Sequence, residues 1–226
     1  MMRPWACDLH RGESLPTKAT HFEIGLSRTG SRSLYVAARK LGVNACHGFG
    51  SCKVCENDAI VKHMRGRIDF DVYRAYDYCG QVAGIHWRRL SKADPDAKFI
   101  LPVRPMDDWL KSIKRHMRKA METRRRDPWF ALEFKKIYET EWELCKHAGD
   151  DFWALMRTTY ELEISKVLNP QNRLTVINVF EESNEELWEK MADFIGVSRD
   201  KIPDEPFQNR TKPIKLYRYE NLFLER

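Results

Sequence analysis

Seven consecutive residues near the start of the chain have the composition of an anion-binding loop. They are Ser27, Arg28, Thr29, Gly30, Ser31, Arg32 and Ser33. They combine hydroxyls with two arginines and precede a stretch of helical periodicity, and a helix N-terminus attracts anions through its unpaired N–H groups and its dipole. We expect a phosphate or sulfate here, with Arg28 as a charged planar fork and Gly30 letting the backbone approach the anion.

The spacing Gly25-x4-Gly30 imitates the loop of nucleotide triphosphatases. In that loop a Lys and a Ser or Thr come next and reach the terminal phosphates and Mg²⁺, whereas Ser31 and Arg32 stand here. The usual triphosphate chemistry is therefore not expected. Three other interpretations of the loop are open. It could belong to a small-molecule kinase, which the missing Lys disfavours, to a non-enzymatic module that binds anions or nucleic acid, or to a turn that binds nothing.

A second candidate site follows the apolar run from Lys98 to Val103, which predicts a buried strand. Arg104 comes directly after it, and Pro105 interrupts the strand. Asp107 or Asp108 could cap the next helix, which would carry Ser112. Ligands of open α/β sheets bind outside the carboxyl ends of the strands, so Arg28 and Arg104 would converge if their strands are neighbours.

Strands and helices alternate along the chain, which predicts an α/β fold with a mainly parallel central sheet flanked by helices. Phe22, Ile24 and Leu26 alternate as in a strand, and Gly42 is placed to end the following helix in a left-handed conformation. Ser183 and Glu186 form a capping-box pattern. The remaining predicted elements are a strand edge at 43–46, a strand at 174–180, and helices around 84–92, 130–138 and 153–164.

The length and composition bound the class of protein. At 226 residues with 42% hydrophobic residues, we expect one domain over 1–226, with an irregular segment at 1–19 and an extended tail at 204–226. The formal net charge of +6 fits an anionic small ligand as well as nucleic acid. No signal-peptide or membrane-span pattern is present, so a cytoplasmic location is expected.

Two further segments admit alternative interpretations. Cys46, His47, Cys52 and Cys55 lie within ten residues and could serve metal or redox chemistry. Their spacing matches no standard zinc pattern, which favours loop thiols. The basic residues between Lys114 and Arg126 indicate a solvated helical face, with a patch that docks the acceptor or steers phosphate as the alternative.

In order and spacing these motifs resemble the sulfotransferases that use 3′-phosphoadenosine 5′-phosphosulfate, in particular their short soluble, bacterial-type branch. The loop from Gly25 to Leu34 is similar to the 5′-phosphosulfate loop of that family. The segment from Lys98 to Ser112 resembles its 3′-phosphate motif, and the stretch from Phe180 to Asn209 resembles its closing helix and tail. The resemblance implies a P-loop-like three-layer fold.

The resemblance also implies in-line transfer of a sulfuryl group to a hydroxyl or amine of a small-molecule acceptor, without a metal. Arg28 would stabilise the leaving 5′-phosphate, Arg104 and Ser112 would hold the 3′-phosphate, and Arg210 in the tail would contact the donor or its product, adenosine 3′,5′-bisphosphate. For the general base Asp77 is favoured, with His86 and His47 as the other candidates. Neither nucleic acid nor membrane is expected as a partner, and a homodimer is left open.

Overall fold

The computed structural model describes residues 21–47, 76–80, 82–122 and 149–207. Within them the strands are β1 His21–Glu23, β2 Ala45–His47, β3 Tyr78–Gly80, β4 Lys98–Val103 and β5 Leu174–Asn178. The helices are α1 Ser31–Lys40, α2 Val82–Ala93, α3 Met106–Glu122, α4 Asp150–Leu168 and α5 Asn184–Ile195. Short 3₁₀ turns at Asn169–Gln171 and Arg199–Lys201 follow α4 and α5.

The five strands form one sheet in the order β2-β3-β1-β4-β5, and every neighbouring pair is parallel. From β1 the chain moves outward to β2, returns to β3, and then passes β1 to reach β4 on its other side. The direction of strand addition thus reverses around β1. Ligands of open parallel sheets bind at such a reversal, outside the carboxyl ends of the strands. The loop after β1 starts at this place.

Helices cover both faces of the sheet, so the fold has three layers. On one face α2, α3 and α4 bury Trp87, Trp109 and Trp153 in a common apolar core. On the other face α1 and α5 pack around Leu34 and Leu187. Burial of both faces is clearest in β4, whose residues 99–103 form a continuous apolar run, as is usual for parallel sheets. The predicted three-layer α/β fold with a parallel central sheet is confirmed.

Several predicted boundaries need correction. The strand predicted to reach Phe180 ends at Asn178, because the Asn178 side chain accepts a hydrogen bond from Phe180 N at 3.1 Å and turns the chain. The helix α3 starts at Met106, so Asp107 and Asp108 lie in its first turn instead of capping it. There their negative charges face the positive end of the helix dipole.

Other elements match or escape the prediction. Gly42 adopts the left-handed conformation with φ 82°, and Ser183 and Glu186 make both hydrogen bonds of the capping box. The strand β3 was not predicted, because three residues are too few to show a period. The helix predicted around 130–138, the segment 1–19 and the tail beyond 207 lie outside the described residues.

Candidate functional site

Buried side chains hold the loop between β1 and α1 in place. The Glu23 carboxylate accepts a hydrogen bond from Gly25 N at 2.7 Å. From α3 and α4, Trp109 Nε1 donates to the Ser27 carbonyl at 2.9 Å and Tyr160 Oη donates to the Ile24 carbonyl at 2.7 Å. All three bonds are buried and join the loop to separate elements. The path of the loop is therefore fixed before any ligand binds.

Two loop residues have a left-handed backbone, Arg28 with φ 74° and Gly30 with φ 114°. Gly30 is the N-cap residue of α1, and a Cβ at this position would overlap the Val179 side chain. From the sequence, this glycine is expected to let the backbone approach an anion. The structure gives a different reason, because the missing side chain would point at Val179 and the positive φ itself favours glycine.

The loop and the segment after β4 meet at the carboxyl edge of the sheet, the edge at which the parallel strands end. Arg28 Nε donates to Ser112 Oγ at 3.1 Å, although the two residues are 84 positions apart. Arg104 Nη1 approaches the Arg28 carbonyl at 3.4 Å. The expected convergence of the two motifs is therefore present, and it follows from the pairing of β1 with β4.

The electrostatics of this region favour an anion. Burial lowers the pKa of Arg28, and Arg115 lowers it further. Burial is also the main cause that lowers the pKa of Arg104, with Arg28, Arg115 and Arg157 adding to it and Asp108 opposing it. Arg28, Arg104, Arg115 and Arg157 are called the arginine cluster below. Guanidinium groups stay charged in proteins, so an anion would compensate positive charge that is partly removed from water.

A histidine lies on the opposite side of the loop, at the end of β2. His47 Nε2 is 3.0 Å from Ser31 Oγ, at the first residue of α1. Burial, followed by the charge of Arg32, lowers the pKa of His47 to about 4. The imidazole is therefore neutral at pH 7, and its Nε2 shares a hydrogen bond with Ser31 Oγ beside the loop.

The sequence model of the sulfotransferase domain matches residues 22–214, which include the loop, β4 and Ser112. The chain belongs to the sulfotransferase family.

The structure of this sulfotransferase agrees with that assignment at the level of the fold. The crystal structure of a sulfotransferase from Alicyclobacillus acidocaldarius superposes with a TM-score of 0.52 and covers 87% of each chain, at 18% sequence identity. Similarity at this identity concerns the fold, which is the P-loop-like arrangement that the sequence predicted. Curated protein sequences contain no match to this chain.

The structure does not bring Asp77 to the sulfotransferase loop. Asp77 directly precedes β3, and Tyr78 is paired with His21, the first residue of β1. The carboxylate of Asp77 accepts a hydrogen bond from Asn44 N at 3.2 Å, at the amino edge of the sheet. The expectation that Asp77 takes a proton from the acceptor therefore conflicts with its position, since β1 separates it from the loop.

The remaining predicted site residues are distributed unevenly. Thr29 is buried, and both its hydroxyl and its N–H bond the Leu26 carbonyl, so its side chain stabilises the loop instead of facing a ligand. Ser31 and Arg32 begin α1, and Ser33 is buried within its first turn. His86 belongs to α2, but its side chain is outside the described part, and so is all of Arg210.

Sequence reasoning missed Glu23 and Arg157. A signal existed in both cases. Glu23 stands between the apolar residues Phe22 and Ile24, which are both buried. Arg157 is in phase with the buried Trp153, Tyr160 and Ile164 on α4. A charged residue on an otherwise buried face indicates a specific partner, because an unpaired buried charge is costly.

The cysteine segment is described only in part. Cys46 is buried on β2 as a free thiol, while Cys52 and Cys55 lie outside the described residues. In the described ranges no group of three or more His, Cys, Asp or Glu side chains is arranged to hold a metal ion. Among the helices of those same ranges, none is both long and apolar enough to cross a membrane.

Proposed function

We propose that this sulfotransferase transfers a sulfuryl group from 3′-phosphoadenosine 5′-phosphosulfate to a hydroxyl or amine of a small-molecule acceptor. The observation that carries the proposal is the contact between Arg28 and Ser112, which joins the two phosphate motifs at one edge of the sheet. A donor with two separate phosphate groups explains why a basic residue from each motif is needed there. A donor such as ATP has no 3′-phosphate to occupy the second motif.

In this proposal the site divides the donor between its two motifs. The N–H groups at the start of α1 and the Arg28 guanidinium bind the 5′-phosphosulfate, with Ser31 and Ser33 as neighbouring hydroxyls. Arg104 and Ser112 bind the 3′-phosphate. Arg104 stacks over the Phe180 ring at 4.1 Å, which restricts its guanidinium plane, and among the described residues its buried Nε has no hydrogen-bond partner.

Arg28 contributes to catalysis by stabilising charge at the moment of transfer. The donor supplies an activated sulfuryl group: the acceptor oxygen or nitrogen bonds to sulfur while the bond from sulfur to the bridging phosphate oxygen breaks. The leaving 5′-phosphate then gains negative charge. A preorganised hydrogen-bond donor that points at this developing charge lowers the activation barrier by about 2.7–4 kcal/mol. The anchoring of the loop by Trp109 and Tyr160 provides that preorganisation.

We assign the general base to His47 in place of Asp77. His47 is neutral at pH 7 and lies against the first residue of α1, where the sulfuryl group would be held. A neutral imidazole with a pKa of about 4 is a weak base. The negative charge of a bound donor favours the protonated form and would bring this pKa closer to neutrality.

Calorimetry with three nucleotides tests the donor assignment. The wild-type protein should bind adenosine 3′,5′-bisphosphate far more tightly than adenosine 5′-monophosphate, because the 3′-phosphate gains charge-assisted hydrogen bonds of about 1.5–3 kcal/mol each. Equal affinities for these two nucleotides would contradict the proposal. Tighter binding of ATP than of the bisphosphate would favour the kinase alternative.

A further inference from the structure

Arg157 occupies an unusual position for a charged residue. It lies on the inner face of α4, between Trp153 and Tyr160, and only 4% of its surface is exposed. Burial of a guanidinium group is costly unless every donor is used. Arg157 Nε donates to Glu161 Oε1 at 2.6 Å and Nη2 donates to the Arg104 carbonyl at 2.6 Å. Within the described part of the chain, Nη1 is buried without a hydrogen-bond partner.

The partners of Arg157 connect it to both phosphate motifs. The carbonyl that it binds belongs to Arg104, where β4 ends and the 3′-phosphate motif begins. The guanidinium also lies over the Trp109 ring at 5.2 Å, and Trp109 holds the Ser27 carbonyl of the loop. A single side chain of α4 therefore contacts the main chain of one motif and the anchor of the other.

Arg173 provides an internal comparison. Its guanidinium donates to the carbonyls of Ser91, Asp94 and Ala97 and lies over the Phe99 ring at 5.2 Å. Arg173 therefore has the same structural task as Arg157, which is to bind carbonyls next to an aromatic ring. It performs this task where β4 begins, at the amino edge of the sheet and away from the site.

Both arginines have carboxylates nearby, Glu161 for Arg157 and two aspartates for Arg173, and they differ in whether other arginines lie close to them. Burial lowers the pKa of Arg173, and the charges of Asp94 and Asp96 partly oppose that effect. Arg157 instead is one of the three arginines that lower the pKa of Arg104. A side chain that only had to bind a carbonyl would not be stabilised by lying close to another arginine. Its position becomes useful if the cluster must attract and hold an anion.

We propose that Arg157 is a positioning residue for recognition of the 3′-phosphate. It fixes the Arg104 carbonyl, and with it the direction in which the Arg104 side chain leaves the main chain. The positive charge of Arg157 also adds to the positive electrostatic potential around Arg104. The inference rests on the proposed donor, because only a nucleotide with a 3′-phosphate would use this arrangement.

The test compares Arg157→Lys with Arg173→Lys. Each variant keeps the charge but loses the planar fork that binds several acceptors at once. The measured quantity is the discrimination ratio, the Kd of adenosine 5′-monophosphate divided by the Kd of adenosine 3′,5′-bisphosphate. We expect this ratio to fall about tenfold in Arg157→Lys, a typical coupling between contacting residues, and to stay at the wild-type value in Arg173→Lys. Both variants should lower the melting temperature.

A double-mutant cycle shows whether Arg157 acts through Arg104. In the Arg104→Ala background, Arg157→Lys should change the discrimination ratio by much less than in the wild-type background. If Arg157→Lys lowers the affinities for both nucleotides by the same factor, or changes neither, the discrimination ratio stays constant. The residue is then only structural and the inference is wrong. If the wild-type protein does not discriminate at all, the proposed donor is wrong instead.

A second variant serves if Arg157→Lys does not fold. Glu161→Gln keeps Arg157 but removes the negative charge next to its Nε. One of the two hydrogen bonds that hold the guanidinium is thereby weakened. The discrimination ratio should then fall severalfold, with less change in the affinity for adenosine 5′-monophosphate. A wild-type ratio in a folded Glu161→Gln protein with a lowered melting temperature would count against the inference.

Discussion

Arg104→Ala should reduce the affinity for adenosine 3′,5′-bisphosphate without damaging the fold. In the unliganded protein Arg104 contributes little to stability. Its bond to the Arg28 carbonyl is long, at 3.4 Å, and its stacking on Phe180 at 4.1 Å contributes about 0.5–1 kcal/mol, as is usual for exposed cation–π pairs. Removing one charge from the arginine cluster also relieves repulsion. We expect the free energy of unfolding to change by less than about 1 kcal/mol.

The loss of nucleotide affinity should be much larger. Two charge-assisted hydrogen bonds to one phosphate, at about 1.5–3 kcal/mol each and not fully additive, amount to about 2–4 kcal/mol. The Kd of the bisphosphate should therefore rise by about 30-fold to 700-fold. The Kd of adenosine 5′-monophosphate should change by only a few fold, because that nucleotide lacks the group that Arg104 binds.

Calorimetry with both nucleotides and urea unfolding of the same samples measure these effects. Arg88→Ala is a matched control, since Arg88 is exposed, is paired with Glu163 and lies over the Trp87 ring at 5.0 Å, but belongs to α2. It should leave both affinities unchanged. Equal losses for the two nucleotides in Arg104→Ala, or a loss of several kcal/mol in stability, would refute the assignment of the 3′-phosphate to Arg104.

Three other changes give separate tests. His47→Gln should lower turnover by about 10²–10⁴-fold with a poorly acidic alcohol acceptor and leave donor affinity unchanged, whereas Asp77→Asn should retain near-normal turnover; the opposite result would return the role to Asp77. Gly30→Ala should cost about 1–3 kcal/mol in urea unfolding, because it places a side chain at φ 114° against Val179; a neutral effect would contradict this packing. The free energy of unfolding should fall as the pH is lowered from about 6.5 to about 4. In this range His47 takes up a proton in the unfolded chain but not in the folded protein, where its pKa is lowered to about 4. The loss attributable to this residue is at most about 3 kcal/mol, and His47→Gln should remove that part of the pH dependence.

Local patterns in the sequence predicted the parts of the fold that local physics determines. The apolar run at 98–103 forms β4 at the predicted residues, and the capping box at Ser183 forms with both of its hydrogen bonds. Each of these depends on interactions among residues close together in the chain. The convergence of Arg28 and Arg104 could be predicted only on the condition that β1 and β4 are neighbours. Whether they are neighbours depends on the order of strands in the sheet, which local patterns do not determine.

The positions of individual site residues depend on non-local contacts in the same way. The sequence favours Asp77 as the base because it precedes the helix and strand that lead to Arg104. Its location was misjudged because β3 has only three residues, and without that strand the register of His21 with Tyr78 cannot be inferred. The packing partner that requires glycine at position 30, Val179, is 149 positions away and directly follows β5, so no local pattern reveals it.

Transfer of a labelled sulfuryl group tests the central claim most directly. The wild-type protein is incubated with 3′-phosphoadenosine 5′-phosphosulfate carrying ³⁵S and with a panel of small hydroxyl and amine compounds. Labelled acceptor and adenosine 3′,5′-bisphosphate should form in equal amounts, and Arg28→Ala should reduce both. Failure to label any acceptor, together with transfer of the terminal phosphate from labelled ATP to the same panel, would contradict the assignment.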